Sequence, residues 1–357
     1  MILNSLIFIN LFSLIICLII IFLDRVISNY GTIKIDINDE EIFDANGGKP
    51  LSKELIHKKI LIPSACGGKG TCGFCRLRVT EGGGIVLPLE KTILTRKEIS
   101  DGFRLSCQVK IRNDMKIYIP DEYFNIKEYN ALVVDTVLVT SDIKKINLKL
   151  LEPKEINFKP GQYVQVHFGV GKSSEIRAYS ISSSPNIHDS IELNIKKIPE
   201  GLGSGFLHNL KVDDKITISG PYGDFYLNDS DARIICISGG VGLAPLKSIA
   251  AYWEKECPQR VLDFYYGART IDDLYDHDLF LGYDRKYKNF NYYPALSDAN
   301  EDWTGERGFI HNIIKEHLNT EEEKEGYLCG PPIMIDASVK ILLEKGVHIE
   351  KIWYDKF

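Results

Sequence analysis

The chain has 357 residues, 44% of them hydrophobic and 26% charged, with a formal net charge of -6. Its length suits two or three packed domains, its composition excludes a disordered chain, and its acidic balance excludes a nucleic-acid binder, which needs clustered Lys and Arg. Eight cysteines in so long a chain, half of them in one short region, point to a local cofactor site and not to a secreted disulfide scaffold.

From Met1 to Leu23 no charged side chain occurs, and Ile7 to Leu23 is dominated by Ile, Leu and Phe before Asp24-Arg25 closes the run. That is enough to cross a bilayer core of about 30 Å as a helix. A cleaved signal peptide would carry a basic leader and a small-residue cleavage site, so residues 1–24 are expected to stay as a single-pass anchor. Arg25 and Lys34 follow the span, which places the rest on the cytoplasmic side of the membrane. Cys17, Cys236 and Cys257 are expected to be small buried hydrophobes.

After the anchor, Thr32–Ile37 and Glu41–Phe43 predict a hairpin, Leu51–His57 a helix and Asp114–Pro120 a strand, with a domain boundary near Lys127. Between helix and strand lie Cys66, Cys72, Cys75 and Cys107, spaced C-x5-C-x2-C with a distant fourth. Three thiolates on one tight loop and one from afar can close around two irons, and Gly67, Gly68, Gly70 and Gly73 let backbone amides approach. Zinc is the competing reading, although zinc motifs normally bring two paired knuckles. The run Ser64-Ala-Cys-Gly-Gly-Lys-Gly-Thr-Cys-Gly-Phe-Cys-Arg resembles a ferredoxin domain, with one residue more than the plant-type C-x4-C-x2-C spacing. That variant, with Glu81-Gly-Gly-Gly, Arg104-Leu-Ser-Cys-Gln-Val and Asp114-Met-Lys-Ile, resembles the family of F subunits of sodium-translocating NADH:quinone reductases.

From Ala131 to Ser219 six short β-rich runs predict a small antiparallel barrel. Arg177-Ala178-Tyr179-Ser180 ends one of its strands, and Gly203-Ser204 opens a helix about two dozen residues later. An Arg can pair with a pyrophosphate, a Tyr can stack on an isoalloxazine, a Ser can reach the flavin N5 region, and a helix start offers N–H groups to phosphates. In this order they resemble the ferredoxin–NADP reductase superfamily, which implies FAD, with FMN as the lesser alternative.

After Asp231 apolar strands alternate with helical stretches, the signature of a parallel α/β sheet. Gly239, Gly240, Gly242 and Pro245 form a turn between a strand and a helix where a dinucleotide can lie, and Cys329-Gly330-Pro331 repeats the placement. The resemblance implies that Cys329 lies beside the hydride-transfer axis as a positioning residue, Ser180 near the flavin, and Phe357 over the flavin face. Asp272 and Asp273 favour NADH over NADPH by repelling a 2′-phosphate, with Arg269 as a counterweight.

The expected architecture is therefore multidomain: a transmembrane helix (1–24), a β-grasp-like α+β [2Fe–2S] ferredoxin domain (31–125), an antiparallel six-stranded FAD-binding barrel (128–229) and a parallel α/β NADH-binding domain (230–357). The resemblance implies an electron-input component passing hydride from NADH to FAD, then single electrons through the cluster to integral membrane subunits and finally quinone, with sodium translocation as a coupled process. The alternative is the reductase component of a multicomponent oxygenase, which should lack the apolar N-terminus. One feature departs from the pattern of the F subunits: the connection from Phe158-Lys-Pro-Gly-Gln-Tyr to Arg177 is short where that family implies an inserted segment.

Overall fold

A computed structural model describes residues 2–27, 30–169, 175–318 and 321–356, with the side chains of 9–21 in the first helix. The chain divides into two compact units, Met1–Ile126 and Lys127–Phe357.

The first unit opens with α1 (Ile2–Ile27), a helix of 26 residues. Its side chains from Ile9 to Ile21 are apolar apart from Asn10 and Ser13 and are exposed on every side, with Ile9, Phe12, Leu18 and Ile20 all more than half exposed. Among the described residues no helix is long and apolar enough to cross a membrane. Cys17 is exposed on this helix and Cys257 is half-buried, so of the three cysteines expected in cores only Cys236 is fully enclosed.

A five-stranded sheet follows, built from β1 (Thr32–Ile37), β2 (Glu41–Asn46), β3 (Arg76–Glu81), β4 (Phe103–Leu105) and β5 (Met115–Tyr118) in the order β2-β1-β5-β3-β4. Alternation explains β1: Ile33, Ile35 and Ile37 are buried while Thr32 and Lys34 face solvent. The chain reverses at Asn38 and Asp39, both in the left-handed region that these side chains tolerate. α2 (Leu51–His57) covers the sheet with Leu51 and Leu55, and α3 (Pro88–Ile93) and α4 (Arg96–Ser100) lead into β4. β3, β4, α3 and α4 fall in a stretch where the sequence predicts only a cysteine-rich loop.

The second unit begins with an all-antiparallel sheet: β6 (Lys127–Leu138), β7 (Ile143–Glu152), β8 (Tyr163–Phe168), β9 (Glu175–Ser180), β10 (Ser190–Lys196), then α5 (Leu202–Asn209) and β11 (Lys215–Tyr222). The strand order is β10-β7-β6-β11-β8-β9, and an Ile181–Leu193 bridge joins the two ends into a barrel. The six expected strands are all present.

A parallel sheet follows, of β12 (Arg233–Gly239), α6 (Leu243–Glu256), β13 (Leu262–Ala268), α7 (His277–Lys286), β14 (Phe290–Leu296), β15 (Glu306–Arg307), α8 (Ile310–His317), β16 (Lys324–Gly330), α9 (Pro332–Glu344) and β17 (Ile352–Lys356). Its order is β15-β14-β13-β12-β16-β17, with cores on both faces. β12 has its sequence successor β13 on one side and β16 on the other, so the order reverses between β12 and β16, and ligands of such sheets bind at the carboxyl ends of these strands. β15 and β17 are edge strands that the sequence does not predict.

Candidate functional site

The four clustered cysteines sit on the loop between α2 and β3 and just beyond β4. A backbone bond from Ser106 N to Cys75 O (2.9 Å) brings the fourth cysteine to the third. All four thiols are free and they meet in two pairs, Cys66 with Cys72 (Sγ–Sγ 3.4 Å) and Cys75 with Cys107 (3.2 Å). The bond between partners holds the Cys66 thiol down to about 3 and pushes Cys72 up, and it holds Cys107 down to about 7 and pushes Cys75 up.

Among the described residues no three of these sulfurs come within 4.8 Å of one another; the group that does is the surface trio Glu306, Glu316 and His317. A single tetrahedral zinc, with Zn–S near 2.3 Å, would draw all four sulfurs to within about 3.8 Å of each other. Two separate pairs suit two irons, each taking two thiolates. The loop's glycines Gly67, Gly68, Gly70 and Gly73 all have φ between +65 and +85, the left-handed region that favours glycine, and a Cβ at Gly73 would also lie 2.7 Å from Ile93. Gln108 itself donates to Cys107 Sγ and to Gly68 O, each at 3.4 Å, a role the motif's Cys-Gln step only hints at.

In the barrel, strand alternation puts Arg177 and Tyr179 on one face of β9 and Ala178 and Ser180 on the other. All six residues of β9 are half-buried, which leaves a partly open strand for a ligand to lie along. α5 packs against it so closely that a Cβ at Gly203 would lie 2.8 Å from both Tyr179 Oη and Arg177 Cγ. Burial pushes the Tyr179 phenol up to about 12, so it stays neutral. Arg177 Nη1 donates to Glu175 Oε2 (2.8 Å) and to Ile176 O (2.7 Å), a pairing sequence reasoning missed. The Ser204 hydroxyl is occupied within its own loop, accepting from Ile198 N at 3.1 Å, so α5 has only its first-turn N–H groups to offer a phosphate.

At the switch point Gly239 ends β12, Gly240 and Gly242 form a 3-10 turn, and α6 starts at Leu243 with Pro245 in its first turn. Gly242 must be glycine, because any Cβ there would run into the carbonyl of Cys329. Cys329 in β16 lies opposite Ser238 of β12, Gly330 follows, and Pro331 caps α9. Cys329 is fully enclosed and burial pushes its thiol up, so it stays a neutral thiol and not a nucleophilic thiolate. Ser238 Oγ, fully buried beside it, has no hydrogen-bond partner among the described residues. Beyond β13, the Asp273 carboxylate accepts from Thr270 N and Oγ1 and lies 3.8 Å from Arg269. The expected flavin-covering residue Phe357 lies outside the described residues, as do residues 170–174 of the short connection.

Comparison with known proteins matches the chain module by module. Residues 35–112 match the family described as 2Fe-2S iron-sulfur cluster binding domain, 130–226 the oxidoreductase FAD-binding domain, and 236–340 the oxidoreductase NAD-binding domain. The chain is 34% identical to the F subunit of the Na(+)-translocating NADH-quinone reductase of Histophilus somni and 35% identical to that of Pasteurella multocida, over 95% of each chain in both cases. The first of these alignments runs over 385 positions, more than the 357 residues of this chain, so the relative carries segments absent here. Among solved structures, a cytochrome P450 reductase of Amycolatopsis superposes with a TM-score of 0.74 at 27% identity, covering 91% of this chain and 99% of that one. A ferredoxin reductase of carbazole 1,9a-dioxygenase gives 0.69 at 28%, covering 92% and 98%. With an iron–sulfur, a flavin and a nicotinamide module in the same order as relatives aligned almost end to end, the chain belongs to the family of F subunits of Na(+)-translocating NADH-quinone reductases.

Proposed function

We propose that this chain is the NADH-oxidising electron-input component of a membrane quinone-reductase complex. Bound FAD supplies an acceptor for a two-electron hydride that releases its electrons singly, as a [2Fe–2S] centre requires. The chain's own residues do the holding. Cys66 with Cys72 and Cys75 with Cys107 hold one iron each; Arg177 and the start of α5 receive the flavin pyrophosphate, Tyr179 stacks on the ring system, and Ser180 lies near the reactive edge. The glycine turn of Gly239, Gly240 and Gly242 with Pro245 takes the nicotinamide dinucleotide, and Cys329-Gly330-Pro331 shapes the end where its ring stacks. Asp272 and Asp273 after β13 favour NADH. Domain limits of 31–125, 128–229 and 230–357 follow from this division.

The N-terminal helix serves as a single-pass anchor in the cell inner membrane, with the catalytic modules on the cytoplasmic side. Its exposed, mostly apolar side chains from Ile9 to Ile21 support that reading, since a helix apolar nearly all round belongs in lipid or a protein core. Integral membrane subunits receive the electrons, quinone is the final acceptor, and coupling to sodium movement belongs to those subunits.

The observation that carries the reading is the pairing of the four thiols two by two on a chain that also holds a flavin barrel and a dinucleotide switch point. The test is Cys72→Ala in the full chain in detergent. Flavin bleaching by NADH should persist while reduction of a one-electron acceptor falls at least about tenfold; loss of flavin bleaching as well would contradict the division of labour.

A further inference from the structure

Barrel and parallel sheet belong to one compact unit, and they meet through a run of alternating charges. On the barrel, β7 and β10 are antiparallel neighbours with Lys145 opposite Asn194 and Asn147 opposite Glu192, so Lys145, Glu192 and Asn194 share a face. From the sheet, Lys247 of α6 donates to Glu192 Oε1 at 2.8 Å and lies 3.0 Å from Asp276 Oδ2, and Asp276 in turn pairs with Lys145. The order Glu192, Lys247, Asp276, Lys145 alternates in sign, and two of its three links cross from barrel to sheet. The four side chains are only 12 to 16% exposed, so solvent screens them weakly.

A second thread runs beside the charges. Ser182 Oγ donates to Glu192 (2.9 Å), Asn194 Nδ2 donates to Ser182 Oγ (3.1 Å) and to the Tyr275 hydroxyl (3.4 Å), and that hydroxyl donates to the Gly240 carbonyl (3.5 Å). It ends on the glycine turn. Asp276 stands at the N-cap of α7 with φ +57, yet makes no cap hydrogen bond, although capping is what an aspartate there ordinarily does. Burial alone would discharge both groups, but the neighbouring charges hold Asp276 below and Lys247 above their ordinary values.

We propose that Lys145, Glu192, Lys247 and Asp276 form a charge clamp that positions the nucleotide sheet against the flavin barrel for hydride transfer. None of the four touches a reacting atom; they are positioning residues. Lys247 lies one turn into the helix that leaves Gly242, so the clamp acts on the element that carries the glycine turn. This rests on the reading of the barrel as the flavin module and the sheet as the nicotinamide module.

The test uses the full chain in detergent, loaded with FAD, as wild type, Lys247→Met, Lys145→Met and Lys247→Arg. Anaerobic flavin bleaching per bound flavin at saturating NADH should slow about 10- to 100-fold in both methionine variants, the scale expected for a misplacement near 1 Å. FAD content should be unchanged, and Lys247→Arg should recover the rate to within about threefold, because charge and reach are kept. Hydrogen exchange without NADH should speed up in β10 and at Tyr275–His277, and not across the rest of the unit. Methionine variants that bleach at the wild-type rate, or that slow only as FAD is lost or the protein melts, overturn the proposal. Should Lys247→Met fail to accumulate, Lys145→Met carries the same decision from the barrel side. A wild-type flavin that NADH cannot bleach would instead sink the functional reading, a separate result.

Discussion

Gln108 shows how much a single side chain beside a ligand can matter. Its amide donates to both Cys107 Sγ and Gly68 O, which fixes the nitrogen toward the sulfur. A donor on a ligand sulfur stabilises the more negative, reduced state of a cluster, since hydrogen bonds to the sulfurs are among the terms that set its potential. Gln108→Leu should therefore lower the cluster's midpoint in an EPR-monitored redox titration, with iron content unchanged; an unaltered midpoint would show the contact to be idle. At this scale the cysteines and glycines were legible because spacing and residue type alone announce them. Gln108 and Glu175 were not, because an amide or carboxylate acquires its role only from the atom it faces, here Cys107 Sγ or the Arg177 guanidinium.

Among the elements, the segment from Glu81 to Leu105 depends on one buried ion pair. Arg104 clasps Glu90 with Nε–Oε1 at 2.9 Å and Nη2–Oε2 at 2.7 Å, and also donates to the carbonyls of Gly83, Gly84 and Ile85. Burial pushes the Glu90 carboxyl up, but Arg104 and the amides of Leu87 and Leu105 outweigh it and hold the group below its ordinary range. Removing one partner of a buried pair costs about 3 kcal/mol, so Glu90→Gln should lower the melting temperature and loosen the loop before Cys107. A carboxyl depressed by folding contributes stability above its unfolded pKa of about 4.3, and that contribution is lost as pH falls through the folded value. The gap in melting temperature between wild type and Glu90→Gln should accordingly be widest near neutrality and narrow on acidification. A gap independent of pH would contradict the assignment.

Element length also explains what the sequence concealed. β1 and β12 were legible from alternating or continuous apolar residues, whereas β4 has three residues and β15 two, too few for any period to register. β17 lies parallel at the edge beside β16, a pairing no local pattern specifies. α3 and α4, of six and five residues, are set by caps such as the Thr95–Glu98 box more than by an apolar stripe.

For the whole molecule, the order of modules was legible because each announces itself locally, while the clamp between barrel and sheet was not. Lys145 and Asp276 are 131 positions apart and Lys247 and Glu192 are 55 apart, and the fold alone brings them together. The anchor yields its own prediction at this scale. The full chain should fractionate with membranes and resist extraction by high salt, while a chain beginning at Gly31 should remain in the soluble fraction; equal distribution of the two would remove the anchor from the account.

The central claim is that four cysteines grip two irons wired to a flavin, and it is tested most directly on oxygen-free full-length protein loaded with FAD. Metal and acid-labile sulfide are measured first, and NADH is then added anaerobically while optical and EPR spectra are recorded. About two irons and two sulfides per chain are expected, followed by bleaching of the flavin and a reduced-cluster EPR signal. Zinc in place of iron and sulfide, or a flavin that bleaches while an intact cluster stays oxidised, would contradict it.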